Sequence, residues 1–249
     1  MLIFVVPLKS PEVANCWRRV CQLFERTVRS LCHQTSNDFK VIVVCHRKPD
    51  INFSHPNVIY LEVDFPLPKH KNRIARGDTD KGRKIFKGLI HAKEFSPSHT
   101  MIVDADDCVS RRLAEFVSQH HESNGWFVNC GYKYQENSPY IYLKQNNFYR
   151  MCGSCNILRY DLNFLPENPE YNRGYGYYKY CLVHAKVKEV LAEKHLPIQP
   201  LPFLGAVYVI NTGDNISGNE NKLNFHWLNR RKLTTVIQEE FGLYPLDLK

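Results

Sequence analysis

Apolar, β-branched segments recur along this chain at intervals filled by helical patterns, and that alternation confines it to an α/β sheet architecture. Leu2–Pro7 and Phe39–Cys45 are near-continuous apolar runs, as expected of strands buried on both faces. Between them Val13, Trp17, Val20, Cys21, Phe24, Val28, Leu31 and Cys32 recur by threes and fours, while Arg18, Arg19, Glu25, Arg26 and Arg29 take the opposite side. This is the signature of a core-facing amphipathic helix. A third strand is expected over 58–65, a helix over 79–95 with Ile85, Leu89 and Ala92 inward, and a fourth strand over 99–104. Successive apolar strands separated by helices imply a largely parallel sheet covered on both faces. Ligands of such sheets bind beyond the carboxyl ends of the strands.

At that edge the fourth strand releases Asp104-Ala105-Asp106-Asp107. Carboxylate oxygens suit hard divalent cations such as Mg²⁺ or Mn²⁺, which complete their coordination with water and substrate phosphates. Strand alternation would put Asp104 and Asp106 on one side and turn Asp107 away. The spacing alone is weak, because Asp78-Thr79-Asp80 repeats it. There the setting is a polar stretch before a helical pattern, where Asp or Thr would cap a helix. Ser110 would likewise cap a helix beginning at Arg111.

The chain of 249 residues, 43% of them hydrophobic, is expected to form one domain. No apolar segment approaches the ~20 residues of a membrane-spanning helix, and the first run is too short and lacks the basic flank of a secretory leader. The nine cysteines are odd in number and scattered, which fits reduced thiols and a cytoplasmic setting. Cys152-Gly153-Ser154-Cys155 has redox or zinc-knuckle spacing, but no second pair completes a tetrahedral zinc site. A net charge of +8 favours polyanionic partners. Its densest stretch runs over 69–93, with a second cluster at Arg230-Arg231-Lys232, and both read first as solvated faces, so no nucleic acid is expected. A diphosphate or the inner face of an anionic membrane would satisfy the same charge.

The second half changes character. A strand is expected over 125–135, followed by a polar, aromatic stretch over 137–150 carrying Tyr140, Tyr142, Phe148 and Tyr149. Tyrosines in such a loop suit stacking on sugar rings and equally suit closing ordinary hydrophobic surface. Another strand is expected over 156–161, a helix over 177–194, and a lid-like tail rich in Asn and Gly over 211–224.

These features together resemble the GT-A fold glycosyltransferases, most of all the family-2 type that uses nucleotide-activated sugars. The resemblance rests on Val5-Val6-Pro7, on the helix tail Thr27 to Thr35, on the second strand, on Asp80-Lys81-Gly82-Arg83-Lys84 and above all on Asp104-Ala105-Asp106-Asp107. It implies a single GT-A-type, Rossmann-like domain with a mostly parallel central sheet flanked by helices and an α+β acceptor-side half. Residues 1–110 would bind the nucleotide sugar, 111–205 the acceptor, and 206–249 would form a tail able to close over the site. It further implies transfer from a UDP-sugar donor to a glycan or lipid-linked acceptor with inversion, as in polysaccharide biosynthesis. By that resemblance Asp106 is the direct ligand of Mn²⁺ or Mg²⁺, Asp104 a ligand or ribose contact, and Asp107 a supporting one. His184 and His226 are candidate further ligands. Pro7, Leu8, His46, Lys81, Lys84 and Ala105 would join Asp104 and Asp106 around the nucleotide.

The chain departs from that family in two places. The turn after the second strand reads Cys45-His46-Arg47-Lys48 where many members carry an acid that contacts the base. The expected position of the catalytic acid pair reads Arg173-Gly174-Tyr175-Gly176-Tyr177-Tyr178. Candidate bases are therefore Glu170, Glu167 and Asp161. Two other readings stay open: a catalytically silent nucleotide-sugar or glycan-binding module, and a nucleotidyltransferase. The absence of glycine from Pro7-Leu8-Lys9-Ser10-Pro11 argues against the second.

Overall fold

The computed structural model describes residues 1–69, 71–213 and 227–246. In chain order the elements are β1 (Leu2–Pro7), α1 (Trp17–Cys32), β2 (Phe39–Cys45), β3 (Val58–Glu62), α2 (Arg73–Ala92), β4 (His99–Ile102), β5 (Cys108–Val109), α3 (Leu113–Gln119), β6 (Gly125–Phe127), β7 (Gly131–Gln135) and β8 (Tyr140–Lys144). There follow β9 (Asn156–Arg159), α4 (Lys179–Leu182), α5 (Val187–Glu193), β10 (Gln199–Pro200), β11 (Ala206–Ile210), β12 (Arg230–Lys232) and α6 (Thr235–Phe241). A seven-stranded sheet has the order β10-β6-β9-β4-β1-β2-β3. Its β4-β1-β2-β3 portion is parallel throughout, and β9 runs antiparallel to both β4 and β6.

β1 is the axis of the core. Residues 2–6 are fully buried, so both of its faces are covered. Phe4 and Val6 pack with Phe24, Val28 and Leu31 of α1 on one side, and Ile3 and Val5 with Ile85 and Leu89 of α2 on the other. Each such side chain contributes about 1.5–3 kcal/mol on burial. Gly88 lets α2 close on the sheet, since a Cβ there would come within 2.5 Å of Val5 Cγ1.

A second sheet of five strands, order β12-β8-β7-β11-β5, stands against this layer. Its inner face, with Tyr132, Tyr134, Ile141, Val207 and Val209, packs on Phe241 of α6. Arg26 of α1 reaches the same region fully buried, donating to Glu136 Oε2 at 2.8 Å and to the Tyr244 carbonyl at 3.0 Å.

Several expectations change. The strand over 125–135 is two strands in different sheets, and the stretch over 137–150 contains β8. α2 begins at Arg73, capped by the Asn72 side chain, so 78–80 lie inside the helix and cap nothing. Val13 is 47% exposed and precedes α1. The helix over 177–194 is broken into short turns before α5. Within 206–249, β11 is sheet interior and α6 buries Phe241, so that segment as a whole is no lid. Most of 211–224, and His226, lie outside the described residues. All nine cysteines are free thiols. No helix among the described residues is long and apolar enough to cross a membrane.

Removing one partner of a buried ion pair leaves an uncompensated charge, which costs about 3–5 kcal/mol. Glu136→Ala is accordingly expected to lower unfolding stability by about that amount, read from urea denaturation. A change within 0.5 kcal/mol would show that Arg26 does not depend on this carboxylate.

Candidate functional site

The parallel strands β1 and β4 end side by side, and the chain after β4 turns sharply at their carboxyl edge. Val103 N–H still donates to the Val5 carbonyl at 2.9 Å. Asp107 N–H then closes a turn on the Asp104 carbonyl at 3.1 Å. The convergence of Asp104 and Asp106 on one wall therefore comes from a turn and not from strand alternation.

Asp107 points the other way and is fully buried. Its Oδ2 accepts from Ser154 Oγ at 2.6 Å and from Cys152 Sγ at 3.2 Å, and its Oδ1 accepts from Val209 N at 3.1 Å. Burial, then the charges of Asp106 and Asp104, push its pKa well above the ordinary carboxylate value. With both oxygens engaged, Asp107 is a brace and not a candidate metal ligand. Ser154 Oγ also accepts from Asp104 N at 2.9 Å, tying the turn at two points to the segment before β9. Gly153 completes the fit, because a Cβ there would lie 2.6 Å from Asp104 Oδ2. Cys152-Gly153-Ser154-Cys155 thus serves the acidic turn. Both of its thiols are buried, and burial first of all raises their pKa values, which opposes thiolate chemistry.

The opposite wall is α2. Lys81 Nζ lies 2.5 Å from Asp104 Oδ1, and each side chain keeps 24% exposure. Burial works against the Lys81 charge, but Asp104 and the fields of Asp106 and Asp107 outweigh it and hold the ammonium protonated. Lys84 is committed elsewhere, donating to the Leu8 carbonyl at 2.8 Å and to Asp80 at 2.6 Å. It borders the cleft and, through the Leu8 carbonyl, anchors the end of β1. Asp78 lines the cleft beside Lys81, and its carboxylate makes no ion pair or hydrogen bond among the described residues. Burial raises its pKa, and Lys81 partly opposes that rise.

Between these walls lies a cleft of about 910 Å³. Pro7 at the end of β1 and Leu8 just after it border the cleft, as do Ala105, Thr212, Tyr208 and Lys133. His184 also lines it, with Nε2 buried and unpartnered among the described residues. Burial, then the Lys81 charge, lowers the His184 pKa, so its ring is neutral at pH 7. His46 is not among the lining residues; its Nε2 bonds the Phe65 carbonyl at 2.9 Å. Asp161, Glu167 and Glu170 are exposed and do not line the cleft. Asp161 pairs with Arg159 at 2.7 Å and Glu170 with Arg173 at 3.3 Å. Sequence reasoning missed Asp78 as a cleft residue, because the polar first turns of α2 carry no apolar stripe to reveal the helix.

Among the described residues no three His, Cys, Asp or Glu side chains are gathered to hold a metal ion. Asp104 and Asp106 nevertheless fit a cation that takes its remaining ligands from phosphate and water, the usual habit of Mg²⁺. Their electrostatics point the same way. Burial, then repulsion from Asp104, pushes the Asp106 pKa up to about 6, and its Oδ2 accepts a long hydrogen bond from Thr212 Oγ1 at 3.4 Å. Lys81 alone does not balance the two acids.

No family model matches the chain, and no curated protein matches it. Among solved structures, S. aureus TarS 1-349 aligns with 14% identity and a TM-score of 0.49, covering 84% of this chain and 60% of that one. The same fragment in complex with UDP gives 0.47 at 14% identity, over the same shares of both chains. HddC from Yersinia pseudotuberculosis gives 0.35 at 10% identity, over 84% of this chain and 88% of its own. The chain therefore spans less than two thirds of TarS 1-349. Strand order and cleft geometry, and not these likenesses, carry the functional reading.

A carboxyl group that titrates near 6 when folded, against an ordinary 3.8, holds its proton more tightly in the folded state. Its contribution to stability is present at low pH and is lost as pH rises from about 4 through about 6. In cation-free buffer at pH 7.5, Asp106→Asn is expected to raise Tm, with the gain shrinking below about pH 5. An unchanged or lower Tm at pH 7.5 would show that Asp106 is not frustrated.

Proposed function

We propose that this chain is a glycosyltransferase that moves a sugar from a nucleotide-sugar donor, a UDP-sugar in the first instance, to a glycan or lipid-linked acceptor. The observation that carries the reading is the pairing of Asp104 and Asp106 on one cleft wall at the carboxyl edge of the parallel strands, with the Lys81 ammonium opposite. Ligands of open α/β sheets bind at that edge. A nucleotide sugar presents what the cleft asks for: a diphosphate for the cation and lysine, a flat base for the apolar border of Pro7 and Leu8, and a sugar reaching toward the second sheet.

Mn²⁺ or Mg²⁺ held by Asp104 and Asp106 would supply positive charge to the departing diphosphate. The chain's own residues do the rest. Asp104 would hold that ion together with Asp106, and Lys81, which pairs with Asp104 at 2.5 Å, stands where its ammonium would reach a phosphate oxygen. Ser154 and Asp107 keep the turn in place while charge builds, so the acids need no reorganisation as the reaction proceeds. Inversion needs a base for the acceptor hydroxyl. The exposed Asp161, Glu167 and Glu170 are poorly placed for that role. Asp78, unpaired in the cleft and less acidic than usual, takes their place in this proposal.

The lack of those three carboxylates from the cleft also favours a second reading, a nucleotide-sugar-binding module without transfer. Donor hydrolysis separates the two: slow release of UDP by the wild type, lost in Asp106→Ala, supports the enzyme, and no release with any UDP-sugar supports the module.

Calorimetry with UDP and Mn²⁺ tests the donor site. Loss of an outer-shell partner of a metal already costs about 10–100-fold, so Asp106→Ala is expected to weaken UDP binding by about 100-fold or more while the far-ultraviolet spectrum stays unchanged. Unchanged affinity would remove the premise. Asp78→Asn is expected to lower kcat by about 10²–10⁴ with UDP affinity within two-fold, as loss of a general base does. Retained kcat would move the base elsewhere.

A further inference from the structure

The outer face of the second sheet carries a pattern that the donor site does not use. Side chains at matched register positions of neighbouring strands share a face. Tyr208 of β11 is the register partner of Lys133 of β7, Lys133 of Tyr142 of β8, and Tyr142 of Arg230 of β12. One row therefore crosses four strands as Tyr208, Lys133, Tyr142 and Arg230, alternating aromatic ring and cation. It starts in the cleft, which Tyr208 and Lys133 line, and ends at the exposed edge strand. With strands about 4.8 Å apart the row spans roughly 14 Å, the reach of a short oligosaccharide.

We propose that this row is the acceptor platform and that the acceptor is an anionic glycan, one whose sugar rings lie on Tyr208 and Tyr142 while Lys133 and Arg230 pair with carboxylate, sulfate or phosphate groups along the chain. The inference rests on the cleft being the donor site, since that is what makes its near end the place of transfer.

Three observations select an anionic chain over a neutral one. The strands β7, β8, β11 and β12 contain no Asp or Glu at all, whereas hydroxyl groups of a neutral glycan would be served at least as well by carboxylate acceptors. Lys133 is half-buried and has no ion pair or hydrogen bond among the described residues. Burial, then repulsion from Lys144, lowers its pKa, and an incoming anion relieves both costs. Beside the row, the Arg230 guanidinium lies over the Tyr140 ring at 4.5 Å, which holds it near the face. The opposite face of the same strands is closed by Phe241 and Leu243, so the row lies on the face turned away from that core.

The full chain is titrated at 50 mM salt with hexagalacturonate, with neutral maltohexaose of the same length, and with oligo(dT) as a competing polyanion. Hexagalacturonate is expected to bind at least ten-fold more tightly than maltohexaose and more tightly than oligo(dT). Lys133→Met and, separately, the exposed Arg230→Met are each expected to cost several-fold in hexagalacturonate affinity without changing that for maltohexaose. Asp106→Ala is expected to leave hexagalacturonate affinity unchanged while losing UDP, so the donor site and the platform fail independently. Equal affinity for the two hexasaccharides, tighter binding of oligo(dT), full affinity in both Met variants, or no hexagalacturonate binding at millimolar concentration would each overturn the proposal.

Discussion

The hydrogen bond from Ser154 Oγ to the buried carboxylate of Asp107 is the contact on which the site depends. A carboxylate without water is costly unless donors satisfy it, and Asp107 has three, from Ser154, Cys152 and the Val209 backbone. Those donors come from the approach to β9 and from β11, so one side chain joins the parallel sheet to the second sheet behind the cleft. Because Ser154 also holds the Asp104 backbone, the direction of the acidic turn is set by packing and not by its own carboxylates, which repel each other. A site that presents like charges to a ligand needs such an external brace.

That repulsion is itself informative. Two half-shielded acids, one cation already bound to the outer of them and a neutral imidazole nearby make a wall that is short of positive charge. The opposite holds farther along the cleft, where Lys133 stands without a counterion among the described residues. The cavity therefore asks for a ligand with a cation at one end and negative charge at the other. A nucleotide diphosphate with its metal meets the first demand, and a charged acceptor the second.

Much of the first half was legible in the chain. β1, α1 and β2 carry strong periodicity because both faces of the strands and one face of the helix are buried, and in such segments hydropathy and geometry coincide. The first turns of α2 were hidden because their residues, from Arg73 to Asp78, border the open cleft and carry no apolar stripe. The second sheet was missed for another reason. β5 and β12 are two and three residues long, and the break over 128–130 moves the chain from one sheet to the other with only Gly131 to announce it. The alternation of Tyr140-Ile141-Tyr142-Leu143-Lys144 was there to be read, but the surrounding Asn and Gln gave it the look of a loop. At the cleft, the position of Asp104 and Asp106 beyond a buried strand was legible. The part played by Ser154 and Gly153 was out of reach, because a partner some fifty residues away leaves no local pattern. Asp161, Glu167 and Glu170 lie outside the cleft lining because turn carboxylates stay exposed unless the fold draws them inward.

The central claim is that a divalent cation sits between the acids at 104 and 106 and carries the diphosphate. Its most direct measurement is an anomalous difference map at the manganese edge from crystals grown with UDP and Mn²⁺. The account requires one peak about 2.1 Å from an Asp106 carboxylate oxygen, with Lys81 turned from Asp104 toward a phosphate. A nucleotide bound in the cleft with no peak there, and with the Lys81–Asp104 pair intact, would contradict it.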